Sequence, residues 1–264
     1  MAENPRSMDL PLELPDLGRL RREISFHEDQ AFRRRFTLKT AEDYAFDLGG
    51  YLSHESWIKD GIDKLGDLKG KLLLDLGCGH GMASVVFATQ GALVTAMDIS
   101  AGYVAETMQR AKIHGVRING IVGCGELLPF KDEAFELIWG NAILHHLDLR
   151  FAVREVMRVL KPGGIAVFCE PINMSFLLKL ARNWFSPKDH TSDEQPLGYE
   201  EIKMMKEISP GLEWHGHQLL GSFGKIVRMK MLASSFDFVD KVTLGMFPFA
   251  KKFCRYGMFK LNKK

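Results

Sequence analysis

The chain has 264 residues, of which 46% are hydrophobic and 26% are charged, and its formal net charge at pH 7 is +2. These values are ordinary for a globular protein, and so small a net charge gives no general attraction to nucleic acid. The four cysteines form no C-x-x-C pair, which favours reduced thiols in a cytoplasm over a disulfide framework or a zinc site. We therefore expect a cytoplasmic protein without a resident metal ion.

The first 66 residues are predicted to form an irregular lead-in followed by a helical cap. Three prolines interrupt residues 1–18, whereas residues 20–45 are charged and aromatic and residues 51–66 carry apolar side chains near helical spacing. The arginine run at 33–35 is interpreted as a solvated face of the first helix. The lead-in has no apolar core of a signal peptide, and the chain has no uninterrupted apolar stretch of 18 residues, so we expect neither export nor a membrane span.

The segment from Leu72 to Gly81 is the most informative part of the chain. An apolar run of leucines ends in Asp75, and glycines follow at every second position, including Gly77 and Gly79. This pattern predicts a buried strand that turns sharply into a helix. Glycine lets the backbone pass close beneath a ligand, and the N terminus of the next helix offers free N–H groups and a positive dipole end. The segment is therefore predicted to cradle a nucleotide-like or amino-acid-like ligand.

Residues 71–170 alternate apolar strands with amphipathic helices. Such alternation predicts an α/β fold with a doubly wound, mostly parallel sheet and a ligand crevice at the carboxyl ends of the strands. Asp98 ends the second strand, 19 residues after Gly79, which is the spacing at which an acid can accept hydrogen bonds from both hydroxyls of a ribose. Glu126, Asn141 and Glu170 also fall at predicted strand ends.

Five motifs in order over residues 70–170 resemble those of class I S-adenosylmethionine (SAM)-dependent methyltransferases, in particular small-molecule enzymes of the ubiquinone/menaquinone C-methyltransferase type. They are D-x-G-x-G-x-G at 75–81, the acid at 98, GCGELLPF at 123–130, the strand and turn at 135–147, and REVMRVLKPGG at 154–164. A methionine at residue 82 excludes the dinucleotide pattern G-x-G-x-x-G. The resemblance implies SAM as the cofactor. The cofactor-binding residues that it implies are Asp75, Gly77, Cys78, Gly79, Gly81, Asp98, Ile99, Cys124, Gly125, Glu126 and Asn141.

The chain departs from the pattern of this family at Cys124. The related enzymes commonly carry an acid there, which contacts the amino group of the adenine. A thiol is a poor hydrogen-bond acceptor, so in this chain we expect the contact to pass to a backbone carbonyl or to a neighbouring side chain.

SAM arrives with its methyl group already activated, so the protein must mainly hold the acceptor in line, about 3 Å from that methyl group. A general base is needed only for an acceptor that is protonated at the working pH. The two histidines after the fourth strand can serve as the base or can simply pack in their turn. Glu170 can orient the acceptor or shape the turn beside Pro171. The candidate catalytic residues are His145, His146, Glu170 and His190.

Residues 171–212 are predicted to be an insertion after the fifth strand that shapes the acceptor pocket, because a long segment at a crevice mouth is usually functional. Glu213 to Leu220 is predicted to be the sixth strand, and the methyltransferase domain is placed at 67–240. Residues 241–264 hold seven basic residues, no acid and five aromatics. On a helix Phe249, Phe253 and Tyr256 share a face, which fits peripheral contact with a membrane or closure of the core.

The sequence therefore favours a SAM-dependent methyltransferase that acts on a small, largely apolar acceptor such as a lipid, a quinone precursor or a secondary metabolite. A protein or nucleic-acid methyltransferase is the first alternative. It is disfavoured because residues 140–143 read GNAI and lack the [D/N/S]-P-P-[Y/F/W] motif that holds a planar amino group. A SAM-binding protein without catalysis is the second alternative, since an intact glycine loop predicts binding and not turnover.

Overall fold

The computed structural model describes residues 15–54, 56–174, 196–219 and 233–264. The strands are β1 Leu72–Leu76, β2 Leu93–Asp98, β3 Ile118–Val122, β4 Phe135–Asn141, β5 Leu160–Pro171, β6 Glu213–His217 and β7 Tyr256–Asn262. The helices are α1 Leu17–Arg35, α2 Ala41–Tyr44, α3 Leu48–His54, α4 Ser56–Asp63, α5 Met82–Thr89, α6 Ala101–Ile113, α7 Leu149–Val159, α8 Tyr199–Ile208 and α9 Ala233–Met246. Two 3-10 helices span Leu144–His146 and Pro248–Phe253.

The seven strands form one sheet in the order β3-β2-β1-β4-β5-β7-β6. Strands β1 to β5 pair in parallel, and β7 lies antiparallel between β5 and β6. Helices cover both faces, so the central strands are buried on both sides and consist of nearly continuous apolar residues. In β1, for example, Leu73 and Leu74 point to opposite faces and neither is exposed. The predicted doubly wound α/β fold is confirmed.

The helical cap predicted at the N terminus is present but is divided differently. The region predicted as one helix contains the long helix α1 and the short helix α2, and the next predicted helix is the pair α3 and α4. Helix α1 begins after Asp16, whose carboxylate accepts hydrogen bonds from the N–H groups of Gly18 and Arg19 at its first turn.

Helix α1 lies along the carboxyl ends of the strands and is held there at both ends. At its N-terminal end Arg19 forms an ion pair with Glu126, in the loop that follows β3. Farther along, Glu28 accepts hydrogen bonds from the N–H groups of Ala101 and Gly102 at the start of α6, where a carboxylate is favoured by the helix dipole. Arg34 pairs with Glu106 of α6 at 3.0 Å.

The placement of residues 241–264 as a tail outside the methyltransferase domain is wrong for the last of them, and the alternative that their aromatics close the core holds for Phe259. The first residues of this segment complete α9, a 3-10 helix follows, and Tyr256 opens β7, so Tyr256 shares no helical face with Phe249 and Phe253. Strand β7 fills the position between β5 and β6, and Phe259 is fully buried there against Trp214. The fold therefore continues past residue 240 into its last strand.

The insertion after the fifth strand is only partly described. Its end contains α8, which packs on α7, and Leu197 is buried and bridges to Ile172. The apolar helix expected at 176–185 and the candidate His190 lie outside the described residues. The predicted sixth strand is present but ends at His217.

Candidate functional site

The loop between β1 and α5 has the backbone that its glycines predict. Gly77, Gly79 and Gly81 all have positive φ angles, of 71°, 49° and 76°. A Cβ on Gly77 would come within 2.7 Å of the Ile143 side chain, and one on Gly81 would come within 2.5 Å of Thr107. By contrast, a Cβ on Gly79 would meet no described atom within 4 Å. Protein packing thus requires glycine at the two outer positions, and the middle glycine faces open space.

The Asp98 side chain at the end of β2 holds the backbone of this loop by a hydrogen bond. Its Oδ2 accepts a hydrogen bond from the Gly79 N–H at 2.9 Å, and its Oδ1 accepts one from the Ser100 N–H at 2.9 Å. Burial raises the pKa of Asp98, although these two N–H donors act in the opposite direction. A carboxylate offers about four lone-pair sites, so Asp98 can still accept hydrogen bonds from ligand hydroxyls.

Asp75 lies on the side of the loop that faces α5 and is not among the residues that line the cavity. Its carboxylate is buried and accepts a hydrogen bond of 2.5 Å from the Ser84 hydroxyl of α5. Desolvation raises the pKa of Asp75 to about 7. The side chain therefore ties the first turns of α5 to β1, and its predicted contact with the amino group of the cofactor stays a prediction.

A cavity of about 190 Å³ lies between the glycine loop and α1. Predicted cofactor-binding residues that line it are Gly77, Gly79, Asp98, Ile99, Gly125 and Asn141. The others, Asp75, Cys78, Gly81, Cys124 and Glu126, are not among its lining residues. The opposite wall comes from α1, which contributes Arg19, Leu20, Glu23, His27 and Gln30. The cavity thus joins the predicted ligand loop to a helix that the sequence did not assign to the site.

Comparison with known proteins agrees with this geometry. Residues 74–168 match a family model described as a methyltransferase domain. This domain belongs to the class I SAM-dependent methyltransferase superfamily.

Curated relatives of the domain are methyltransferases. A malonyl-[acyl-carrier protein] O-methyltransferase of Salmonella typhimurium is 35% identical over 97 residues, which is 36% of this chain and 37% of the relative. A ubiquinone biosynthesis O-methyltransferase of Coxiella burnetii is 33% identical over 41% of this chain and 47% of the relative. An uncharacterised methyltransferase of Synechocystis is 35% identical, with 46% of this chain and 58% of the relative covered. The matches thus span less than two thirds of these relatives.

Among solved structures, geranyl diphosphate C-methyltransferase from Streptomyces coelicolor, crystallised with S-adenosyl-L-homocysteine (SAH), has a TM-score of 0.57. It is 18% identical, and the match covers 79% of this chain and 77% of that one. At this identity the similarity shows the fold. SAM is the cofactor of the superfamily, as the motifs predict.

In this methyltransferase domain Glu126 anchors α1 to the loops of the sheet. Its side chain is fully buried, pairs with the Arg19 guanidinium, and accepts a hydrogen bond from the Asp148 N–H at the start of α7. Arg19 also donates to the carbonyl of His146 at 2.6 Å. Glu126 is therefore engaged with protein groups on the side of the cavity that α1 closes.

The two cysteines in the cofactor motifs remain thiols. Burial raises the pKa of Cys78 well above its ordinary value, and burial also raises the pKa of Cys124. Cys124 lies between Gly123 and Gly125, which line the cavity. The chain therefore presents backbone at this edge of the cavity, and the contact of that backbone with the adenine stays a prediction.

The three catalytic candidates among the described residues, Glu170, His145 and His146, have different positions at the turn after β4. Glu170 is fully buried and accepts hydrogen bonds from the N–H groups of Ile143 and Leu144 at 2.9 and 2.8 Å. Its other oxygen lies 2.8 Å from Nδ1 of His145. Both residues hold the turn in shape, and neither is among the lining residues of the cavity. Of the three, only His146 lines it.

His146 meets two residues of α1 that sequence reasoning missed. Its Nδ1 lies 3.2 Å from Oε2 of Glu23, and Nε2 of His27 lies 3.3 Å from the same oxygen. Burial lowers the pKa of His27, but the nearby carboxylates of Glu23 and Asp98 outweigh this effect and raise it. The spacing of four residues between an acid and a histidine on an amphipathic helix was the signal in the sequence.

Proposed function

We propose that this protein binds SAM between the glycine loop and α1 and transfers its methyl group to a small acceptor in the same cavity. The observation that carries the proposal is the composition of the cavity wall. One side is formed by Gly79 and Asp98 of the cofactor motifs, and the other side by α1. A ligand held by the loop would therefore expose its reactive end to side chains that lie outside those motifs.

The proposed acceptor is small and largely apolar. Leu20, Ile143 and Leu147 supply apolar surface to the cavity, and Glu23 and His146 supply polar atoms. This combination is typical of small-molecule sites, in which a few polar groups orient an otherwise apolar ligand. Relatives of the domain include a malonyl-[acyl-carrier protein] O-methyltransferase, a ubiquinone biosynthesis O-methyltransferase and a probable phthiotriol/phenolphthiotriol dimycocerosates methyltransferase. Their names support a lipid-like or quinone-precursor acceptor.

Two measurements test this proposal. Calorimetry with SAH should show one binding site per chain. Incubation of the protein with methyl-labelled SAM and metabolite or lipid extracts, followed by mass spectrometry, should then give a labelled small molecule. Absence of SAH binding contradicts the proposal at its first step. SAH binding without a labelled product in any extract favours a SAM-binding protein that lacks catalysis.

We also propose a peripheral contact with membranes through the surface around the second 3-10 helix. Met246, Phe247 and Phe249 are 68%, 48% and 65% exposed, and exposed apolar side chains in a group are typical of interaction sites. Lys252 lies in the same 3-10 helix as Phe249 and would favour anionic lipid. Two further lysines of this segment already have partners: Lys241 forms an ion pair with Asp60, and Lys251 lies over the Trp214 ring. No helix in the described ranges is long and apolar enough to cross a membrane.

Sedimentation with anionic phospholipid vesicles tests this contact. The wild-type protein should co-sediment at low salt and less so at high salt, and the double variant Met246→Asp/Phe249→Asp should remain in the supernatant. Because both side chains are exposed, the variant should keep its thermal stability. Wild-type protein that ignores vesicles at every salt concentration contradicts the proposal.

A further inference from the structure

Three side chains converge on one point of the cavity wall. Glu23 and His27 lie one helical turn apart on α1, and His146 reaches them from the 3-10 helix after β4. Each offers one ligand atom, and these three atoms lie within 4.8 Å of one another. All three residues line the cavity. The cluster therefore has two imidazoles and a carboxylate directed at a common space.

Two of the three separations within the cluster fit a tetrahedral metal ion. Zn²⁺ binds histidine nitrogen and carboxylate oxygen at about 2.0–2.2 Å, which places tetrahedral ligand atoms about 3.3–3.5 Å apart. Oε2 of Glu23 lies 3.3 Å from the nitrogen of His27 and 3.2 Å from that of His146. The two histidine nitrogens lie within 4.8 Å of each other.

A nearby pair shows what a simple ion pair looks like in this protein. His145 approaches Glu170 with one nitrogen at 2.8 Å, the distance of a direct hydrogen bond. In the cluster, two nitrogens share one carboxylate oxygen, and both are farther away. The cluster thus differs from this pair in bringing two histidines to one carboxylate, which is a donor set used by zinc sites.

The surroundings of the cluster support the same conclusion. Glu23 is only 3% exposed, and the side chains of His27 and His146 are 18% and 14% exposed. The surrounding protein therefore shields the three side chains from most of the solvent. Gln30 hydrogen-bonds to His27 and accepts a hydrogen bond from the Tyr103 hydroxyl at 3.2 Å. Such partners behind a histidine ligand fix the orientation of its ring.

We propose that Glu23, His27 and His146 form a Zn²⁺ site whose fourth position faces the cavity. Three protein ligands and one open position are the arrangement of catalytic zinc. The open position would take a hydroxyl oxygen of the acceptor and lower its pKa. That hydroxyl then loses its proton to water, its oxygen forms the new O–C bond, and the S–C bond of SAM breaks with its electron pair left on sulfur. This role rests on the proposed methyl transfer, whereas metal binding does not.

The test uses the untagged protein, stripped of metal with a chelator and studied without SAM. Co²⁺ is the probe, because its visible absorption reports tetrahedral coordination, and Zn²⁺ should displace it. We expect one Co²⁺ per chain. The variants His27→Ala and His146→Ala should each bind at least about 100-fold more weakly, because even loss of a partner behind a ligand costs about 10- to 100-fold. The variant Gln30→Ala, which removes a partner behind a ligand, should bind Co²⁺ about 10- to 100-fold more weakly.

His80→Ala is the matched control. His80 lines the same cavity and lies 3.6 Å from Glu106, but it does not belong to the cluster, so its variant should bind Co²⁺ like wild type. Glu23→Gln preserves the shape of the buried side chain and tests the site if the two histidine variants do not fold. SAH calorimetry on the same samples reports the proposed function separately.

Several outcomes overturn the zinc site. The site is contradicted if the wild-type protein binds no Co²⁺. It is also contradicted if the variants His27→Ala and His80→Ala lose Co²⁺ affinity to the same extent. Metal-free protein that has full methyl transfer activity, which His146→Ala then loses, assigns the cluster to proton transfer. A one-to-one complex with tetrahedral absorption that disappears only in the cluster variants supports it.

Discussion

Replacing Gly79 with alanine separates the backbone requirement of the glycine loop from its contact with a ligand. The residue has φ of +49°, and its added Cβ would meet no described atom within 4 Å. Gly115, at the end of α6, has φ of +68° and equally open surroundings, but it is not among the residues that line the cavity. The two substitutions therefore impose the same kind of backbone strain, and only Gly79→Ala places a methyl group where the ligand is expected.

The expected magnitudes follow from this comparison. A left-handed backbone costs a residue with a Cβ about 1–2 kcal/mol, so both variants should lose roughly 2–8 °C of melting temperature for a chain of this size. A methyl group inserted against a well-packed ligand costs a further 1–3 kcal/mol or so. Gly79→Ala should therefore bind SAH roughly 5- to 150-fold more weakly, and Gly115→Ala should bind it like wild type.

Calorimetric titration with SAH and thermal unfolding of the three proteins decide the matter. Equal SAH affinity in all three would refute the reasoning, because the loop would then not approach the ligand closely. A loss of affinity in Gly115→Ala as large as in Gly79→Ala would also refute it, since strain alone would then explain the effect.

Three further predictions concern other parts of the fold. Asp98→Ala removes a charged acceptor and should weaken SAH binding by about 1.5–3 kcal/mol, or roughly 10- to 150-fold by calorimetry; unchanged affinity would remove Asp98 from the site. Burial raises the pKa of Asp75 from 3.8 to about 7, so the unfolded chain ionises first as the pH rises, and the free energy of unfolding should fall between pH 4 and 7 by up to about 4 kcal/mol. Asp75→Asn should flatten that profile in denaturant titrations, and parallel profiles would contradict the assignment. Deletion of residues 256–264 removes β7 and should prevent folding, as judged by circular dichroism. Phe259 and Leu261 are fully buried, and each contributes about 1.5–3 kcal/mol to stability. The free energy of unfolding is only about 5–15 kcal/mol in most proteins.

The parallel part of the sheet was predictable because its signals are local. Strands β1, β2, β4 and β5 are apolar runs that end in an acid or a glycine, and such runs indicate buried strands whatever surrounds them. Strand β7 lacked this signal. Lysines flank and interrupt it, and its pairing with β6 brings Gly257 opposite Gly216, where neither has a side chain to reveal the contact. Its place between two strands depends on tertiary pairing, which periodicity does not encode.

The same distinction applies to the site. Asp98 and the glycine loop were found because their spacing follows from one β-α-β unit. The wall formed by α1 was not, because which helix covers the crevice depends on contacts between distant segments, such as Arg19 with Glu126. The approach of α1 to α6 illustrates how close these contacts are: a Cβ on Gly102 would come within 2.7 Å of Ala31.

Helix α1 also explains why the family match does not identify the acceptor. The matched residues, 74–168, supply the glycine loop and Asp98, which are the predicted site of a cofactor common to the whole superfamily. Glu23 and His27 lie outside the match and reach the cavity only because Arg19 and Glu28 fix α1 across it. Part of the wall proposed to meet the acceptor is thus carried by α1, outside the match, whereas Ile143, His146 and Leu147 lie within it. Substrate choice in this protein should therefore respond to substitutions in α1 as well as to substitutions in the matched region.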